Sequence, residues 1–294
     1  MAGRDAGQRG GTGRAARPTR AGVTGLRAGD AEEGGAEATG ADGGAGAWPA
    51  SVPALAQVFV GDLADPVLEP DDAHHLARVL RAEPGETVLA ADGRGAWRPC
   101  RYQAGGSGRA APVLVPDGDV VTCARPEPLL TVAFVPVKGD RPEWVVQKLT
   151  EVGVDRIVVL RSRRSVVRWD RDPSQAPRAL GRLQRVAASA AAQSRRPWIP
   201  EVAGVLTLAE LAATCGPGGL ALAEPGGPPP GGGQHAVAVG PEGGWSDDER
   251  TGSGLPTVGL GPGVLRAETA AVAVGTLLCA LRSGVVRPGA GGAA

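Results

Sequence analysis

The stretch LLTVAFVPVKGDRPEWVVQKLTEVGVDRIVVL, from Leu129 to Leu160, changes its apolar rhythm twice. Leu129–Val137 is a continuous apolar run, the signature of a strand buried on both faces. Pro142–Val152 then places Val145, Val146 and Leu149 on one side of a helix. Arg156–Leu160 returns to an apolar strand. The alternation continues toward the C-terminus. A long helix is predicted near Pro177–Ser194, a strand at Trp198–Val202 and a helix at Thr207–Cys215. Strands follow at Leu220–Ala223 and Ala236–Val239, then a short helix from Ser246, a strand at Thr257–Leu260 and a last helix at Glu268–Arg282. Alternating strands and helices predict an α/β domain with a mostly parallel sheet over residues 126–286. The segment GGPPPGGG, Gly226–Gly233, reads as a surface loop, and residues 287–294 as a flexible C-terminus.

Upstream the texture differs. Residues 53–125 read as a small β-rich domain with strands at Gln57–Val60, Glu86–Asp92, Ala96–Gln103 and Ala111–Asp117, separated by turn residues such as Pro84-Gly85 and Asp92-Gly93. One helix, His74–Leu80, interrupts them, capped by Asp71 or Asp72. Residues 1–52 are rich in Gly, Ala, Arg, Thr and Glu without periodicity and read as a disordered tail, with the folded part beginning near Leu55.

The chain has 294 residues, enough for roughly two domains of about 150 residues. It holds no apolar run long enough to span a membrane and no secretory signal pattern, so a cytoplasmic protein is expected. Cys100, Cys123, Cys215 and Cys279 lie far apart and read as reduced and structural, not as a disulfide frame or metal site. The formal net charge of zero hides an asymmetry: between Lys138 and Arg196 stand fourteen Lys or Arg against six Asp or Glu. A local basic surface of that size suits a polyanion such as nucleic acid, although a solvated helix face is the plainer explanation.

Two glycine loops carry the chemistry. In GPEGGWSDDE, Gly240–Glu249, a strand runs into a loop whose backbone can approach a ligand closely, and Ser246 caps the helix that follows. Glu242, Asp247, Asp248 and Glu249 would repel phosphate, so the loop suits a neutral or cationic ligand held by the main chain. In VGLGPGVLRAETA, Val258–Ala270, a strand ends in Gly-Pro-Gly and a helix begins near Glu268. Only one helix remains beyond it, too little chain for a dinucleotide-binding unit. Arg266 and Glu268 stand where strand gives way to helix. Either loop alone could be an ordinary turn with a capped helix.

Together with HHLARVLR at His74–Arg81, KGDRPEWVVQKLTEVGVDRIVVLRSRRSV at Lys138–Val166 and AAQSRR at Ala191–Arg196, these loops form five ordered blocks. The chain resembles the RsmE-type 16S rRNA (uracil-N3)-methyltransferases of the SPOUT superfamily. The resemblance implies a PUA-like RNA-binding barrel, then a C-terminal domain with a deep trefoil knot. It implies S-adenosyl-L-methionine as cofactor, no metal, a homodimer, and 16S rRNA within the small ribosomal subunit as substrate. The adenosyl group is expected against Leu222, Ala223, Glu224, Gly240, Pro241, Glu242, Gly243, Gly244, Leu260, Gly261, Val264, Leu265, Arg266 and Thr269. Arg266 is assigned to stabilising a uracil anion, and Glu268 to base or orienting duty. His74, Arg78, Arg81, Lys138, Arg141, Lys148, Arg164, Gln193 and Arg196 form the expected RNA-facing set. Of the adjacent histidines His74 and His75, one is expected packed and one exposed, because neighbouring helix residues diverge by about 100°. The chain departs from the family pattern at Gly263, where a bulkier residue is usual, and in the short glycine-rich segment 250–259, which should curtail the helix at Ser246. Rival readings are a SPOUT enzyme on another RNA and a non-catalytic RNA-binding assembly protein.

Overall fold

A computed structural model describes residues 47–105, 111–169, 174–216, 218–231 and 233–287. The predicted tail therefore lies outside the described residues up to position 46. Residues 47–52, expected within it, pack against the fold: Trp97 Nε1 donates to the Ala47 carbonyl at 3.0 Å, and Pro49–Ser51 form a 3₁₀ turn.

The β-rich part holds β1 (Ala56–Phe59), β2 (Thr87–Ala91), β3 (Ala96–Gln103), β4 (Val113–Pro116) and β5 (Val121–Thr122) in one sheet. β1 runs parallel to β2, and the other pairings are antiparallel. β5 escaped the sequence reading because two residues carry no period. Helix α1 (Pro70–His74) starts earlier than Asp71 or Asp72 would cap it: Pro70 takes the first helical position and no side chain caps the turn. It continues as a wider π-helical turn over His75–Val79, which buries Leu76 in the core of this β-rich part.

The C-terminal sheet has six parallel strands in the order β11-β9-β10-β6-β7-β8. They are β6 (Thr131–Phe134), β7 (Arg156–Arg161), β8 (Glu201–Thr207), β9 (Leu220–Ala223), β10 (Ala236–Val239) and β11 (Thr257–Val258). The apolar run that opened the sequence is the interior strand β6, buried at every position. Its period of two feeds both faces. Val132 and Phe134 join the core under α2 (Arg141–Val152), α3 (Gln175–Gln193) and α6 (Ala267–Arg282), while Ala133 and Val135 join the core under α4 (Leu208–Cys215). β8 begins three residues later than Trp198, because Trp198 and Ile199 serve the domain junction. Helix α5 (Asp247–Arg250) is as short as the glycine-rich sequence after it implied. No described helix is long and apolar enough to cross a membrane.

One block joins the two sheets. Arg195, in the left-handed backbone region at φ 53°, sends its guanidinium to the carbonyls of Val52 and Ala54. Gln57 Nε2 donates to the Arg196 carbonyl at 2.8 Å, and Trp198 Nε1 to Cys123 O at 3.2 Å. Arg125 stacks on the Trp198 ring at 5.4 Å.

Candidate functional site

At the carboxyl ends of β9, β10 and β11 the connections part around a cavity of about 510 Å³. Carboxyl-end crevices of this kind are where parallel sheets bind ligands, and the volume lies in the range for a small-molecule site. Val239, Leu260, Ala267 and Ala270 supply apolar wall, and Glu224 and Glu242 supply carboxylates. Ser246 caps α5 reciprocally with Glu249, which fixes the loop Gly240–Trp245 between strand and helix.

Two features make the cavity a receptor for an organic group. The Trp245 indole lines it, lies so close to Gly240 that an added Cβ would stand 3.0 Å from the ring, and leaves its Nε1 buried with no partner among the described residues. The main-chain groups of Leu260, Gly261, Val264 and Leu265 also make no hydrogen bond within the described chain. Such donors and acceptors fit a ligand with several polar atoms on a flat apolar body. The carboxylates exclude phosphate and suit a cation such as a sulfonium. S-adenosylmethionine fits this set: the main chain of 260–265 would hold its adenosyl group, and the acids would suit its positive charge.

The wall depends on a close crossing of two loops. Glu224 N–H donates to Val258 O, and Gly259 N–H to Pro228 O at 2.7 Å. A Cβ on Gly259 would stand 2.1 Å from the Gly227 carbonyl oxygen, and one on Gly227 2.8 Å from the Val258 carbonyl carbon. Gly259→Ala is therefore expected to spread the crossing and weaken S-adenosylmethionine binding more than tenfold, read by calorimetry. Unchanged affinity would show that the crossing does not shape the cavity.

A family model described as an RNA methyltransferase domain matches residues 125–279, and one described as an RNA methyltransferase PUA domain matches 68–111. The ribosomal RNA small subunit methyltransferase E of Mycobacterium bovis is 36% identical over 232 residues, covering 72% of this chain and 85% of the relative. The chain belongs to the ribosomal RNA small subunit methyltransferase E family. Solved structures agree. The methyltransferase E of Neisseria gonorrhoeae bound to S-adenosyl methionine is 27% identical with a TM-score of 0.62, over 77% of this chain and 97% of that one. A Legionella pneumophila methyltransferase in complex with the same cofactor is 26% identical with a TM-score of 0.64, over 78% and 98%.

In this member of the methyltransferase E family most of the expected cofactor residues converge. Ala223, Glu224, Gly240, Pro241, Glu242, Gly244, Leu260, Gly261, Val264, Leu265 and Arg266 all line the cavity. Leu222, Gly243 and Thr269 do not: Leu222, within β9, is wholly buried in the core on the α4 side, Gly243 turns its carbonyl to Arg164 at 2.8 Å, and Thr269 is exposed. Pro225, Val239, Trp245, Ala267 and Ala270 line it without having been singled out, and so does Gly263, noted in the sequence only as a departure from the family pattern. Trp245 was legible as an aromatic inside a glycine loop, and Ala267 and Ala270 as small residues where a helix meets a pocket. Glu268 does not line the cavity. It faces α2, pairs with Arg141 at 3.4 Å, and keeps Oε2 buried without a partner among the described residues.

The RNA-facing set divides. His74, Arg78, Arg81, Lys138, Arg141, Arg164 and Gln193 are exposed. Both adjacent histidines are exposed, which corrects the expectation that one is packed, because Leu76 is the residue of that turn that enters the core. Lys148 is half-buried and bound to Glu151 at 2.8 Å. Arg196 is a correction: it is 6% exposed, donates to the carbonyls of Thr150 and Val154, and pairs with Asp155 at 3.6 Å. It is a structural cation out of reach of RNA. Burial pushes its pKa down while Asp155 pulls it back up.

Glu249 ties the glycine loop to the turn after β7. Its carboxylate accepts from the N–H of Ser246 and of Arg163, both at 2.9 Å, and from the Ser246 hydroxyl. Burial raises its pKa, but these bonds together hold it below the ordinary glutamate value. A depressed folded-state pKa means the tie contributes stability above the unfolded pKa and loses it as pH falls through the folded one. Acidification should therefore lower the exchange protection of the Arg163 and Ser246 amides, taken relative to their intrinsic rates, before the sheet opens, and Glu249→Gln should remove that pH dependence. Protection that stays constant with pH in the wild-type chain would contradict the tie.

Proposed function

We propose that the chain methylates N3 of a specific uridine in 16S ribosomal RNA of the small subunit, with S-adenosylmethionine as donor. The observation that carries this is the cavity with its unpartnered Trp245 Nε1 and open main chain, in a chain whose relatives are named for that RNA and hold that cofactor. When bound, the cofactor supplies an electrophilic methyl group on a sulfonium.

The chain's own residues do the remainder. Glu224 and Glu242 keep the cavity receptive to positive charge. Transfer in line requires the acceptor and donor to be held together, and such positioning supplies much of the acceleration. Uracil N3 loses its proton to water as it comes to accept the methyl, and the negative charge left before the new bond is complete spreads onto O2 and O4. Arg266 lines the cavity from its rim, exposed, at the extended residue that precedes α6, where its guanidinium can meet that charge. Glu268, turned to Arg141, suits orienting duty better than direct proton abstraction. The same reading includes a trefoil knot at the Gly227–Gly259 crossing, cytoplasmic work on small-subunit particles, and a homodimer whose partner copy covers the exposed Val264 and Leu265.

Mass-spectrometric mapping of 3-methyluridine in small-subunit rRNA from cells with and without the chain tests the reading. The modified nucleoside should vanish with the chain. Its persistence would overturn the assignment, and a purified chain that gives no binding heat with S-adenosylmethionine would overturn methyl transfer altogether.

A further inference from the structure

A second cavity, of about 820 Å³, opens at the carboxyl ends of β7 and β8, on the same edge of the sheet as the first. We propose that it seats a phosphate-bearing nucleotide of the RNA substrate that flanks the methylated one. The proposal rests on the methyltransferase reading above and adds a site to it.

Its lining is cationic. Arg163 and Arg168 contribute guanidinium groups beside Arg161, and Ser253 contributes a hydroxyl. The two acids on the wall, Asp248 and Glu249, are already engaged. Glu249 is occupied by Ser246 and Arg163 N–H groups, and Asp248 pairs with the Arg163 guanidinium at 2.8 Å. That last pair is about 70% exposed on both sides, so solvent screens it and a phosphate can displace the carboxylate. Arg168 donates from Nε to Ser165 O and from one terminal nitrogen to Arg163 O, which holds the fork in place and leaves its other terminal nitrogen for a ligand. Arginine forks match phosphate oxygens in pairs, unlike the point charge of lysine. The volume lies within the range for a small-ligand site.

Position supplies the rest of the case. One segment forms a wall of both cavities: Glu242, Gly244 and Trp245 face the first, and Asp248, Glu249, Gly252, Ser253 and Leu255 the second. Two bonds pin this wall to the turn that carries the arginines, Arg164 to Gly243 O and Arg163 N–H to Glu249. An RNA strand whose target base enters the first cavity crosses this wall, and the phosphates beside it then meet Arg163 and Arg168. The basic surplus of residues 138–196 thus has a place on the sheet edge where a polyanion is needed.

The test uses the full chain and a 16S rRNA transcript, with binding measured across a range of salt and S-adenosylmethionine binding measured by calorimetry. The double variant R163E/R168E is compared with wild type and with R178E, a reversal at an exposed site on α3 that lines neither cavity. The RNA dissociation constant of R163E/R168E should rise at least tenfold, and the slope of log affinity against log salt should shrink by about one per lost phosphate contact. Cofactor affinity and the R178E values should stay at wild-type level. If charge reversal lowers Tm, the R163Q/R168Q pair must show the same direction of change in RNA affinity and slope. Wild-type RNA affinity and slope in folded R163E/R168E or R163Q/R168Q would overturn the second site while leaving the methyltransferase reading intact. A wild-type chain that neither binds the cofactor nor transfers methyl to the transcript would overturn that reading instead.

Discussion

Asp155→Ala should destabilise the chain by about 3–5 kcal/mol, the range for removing one partner of a buried ion pair. Asp155, immediately before β7, is 3% exposed. Its carboxylate accepts from the Leu130 N–H at 3.0 Å, meets Arg196 at 3.6 Å and binds Arg282. Arg196 in turn bonds the carbonyls of Thr150 and Val154, and Arg282 those of Pro128 and Gly153. One carboxylate thereby fastens the approach to β6, the end of α2, the end of α3 and the end of α6. Without it, two guanidinium groups stay in a site that disfavours their charge, and the Leu130 N–H loses its acceptor. The loss should appear as a lower denaturant midpoint with unchanged slope. Asp155→Asn, which keeps an acceptor and loses the charge, should fall between. A wild-type midpoint for Asp155→Ala would mean that the two arginines find equal partners elsewhere.

The parallel sheet was open to sequence reasoning because β6 and β7 are buried on both faces and therefore apolar at almost every position. The helices were open to it for a related reason: Val145, Val146 and Leu149 repeat on one face of α2 because only that face meets the sheet. Elements governed by long-range contact were not. Trp198 has strand composition, yet it serves as a bracket between Cys123 and Arg125 and not as a rung of β8. Arg196 sits in a basic run and looks like a nucleic-acid contact, but its role depends on Asp155, forty-one residues earlier, which no local pattern announces. The cofactor loops were legible as backbone surfaces, since glycine loops after strands predict main-chain recognition. The direction of Glu268 was not, because a residue at a helix start can face either the cavity or a neighbouring helix, and Arg141 decides which. Arg164 likewise divides its character, exposed in a basic run yet bonded to the cofactor loop at Gly243.

Arg266→Ala should reduce methyl-transfer turnover about 10²–10³-fold at saturating RNA and cofactor, the usual cost of removing one group that stabilises a developing anion. S-adenosylmethionine affinity should change little, because the unengaged polar groups of Leu260, Gly261, Val264 and Leu265 belong to the main chain and survive the substitution. That combination separates two roles for a rim arginine. A residue that only gripped an RNA phosphate would raise the KM for RNA and leave kcat intact, whereas one that meets charge on the uracil lowers kcat itself. Arg266→Lys should recover part of the loss, since an ammonium keeps the charge without the planar fork. Glu268→Gln and Arg141→Ala should resemble each other, with smaller losses than Arg266→Ala, because the two residues form one pair on the α2 side of the helix. If turnover of Arg266→Ala returned to wild type at saturating RNA, the anion would have to be stabilised by something else. The remaining candidates on the cavity wall would then be the main-chain N–H groups at the start of α6, where the helix dipole is positive and the backbone of Val264 and Leu265 is unengaged.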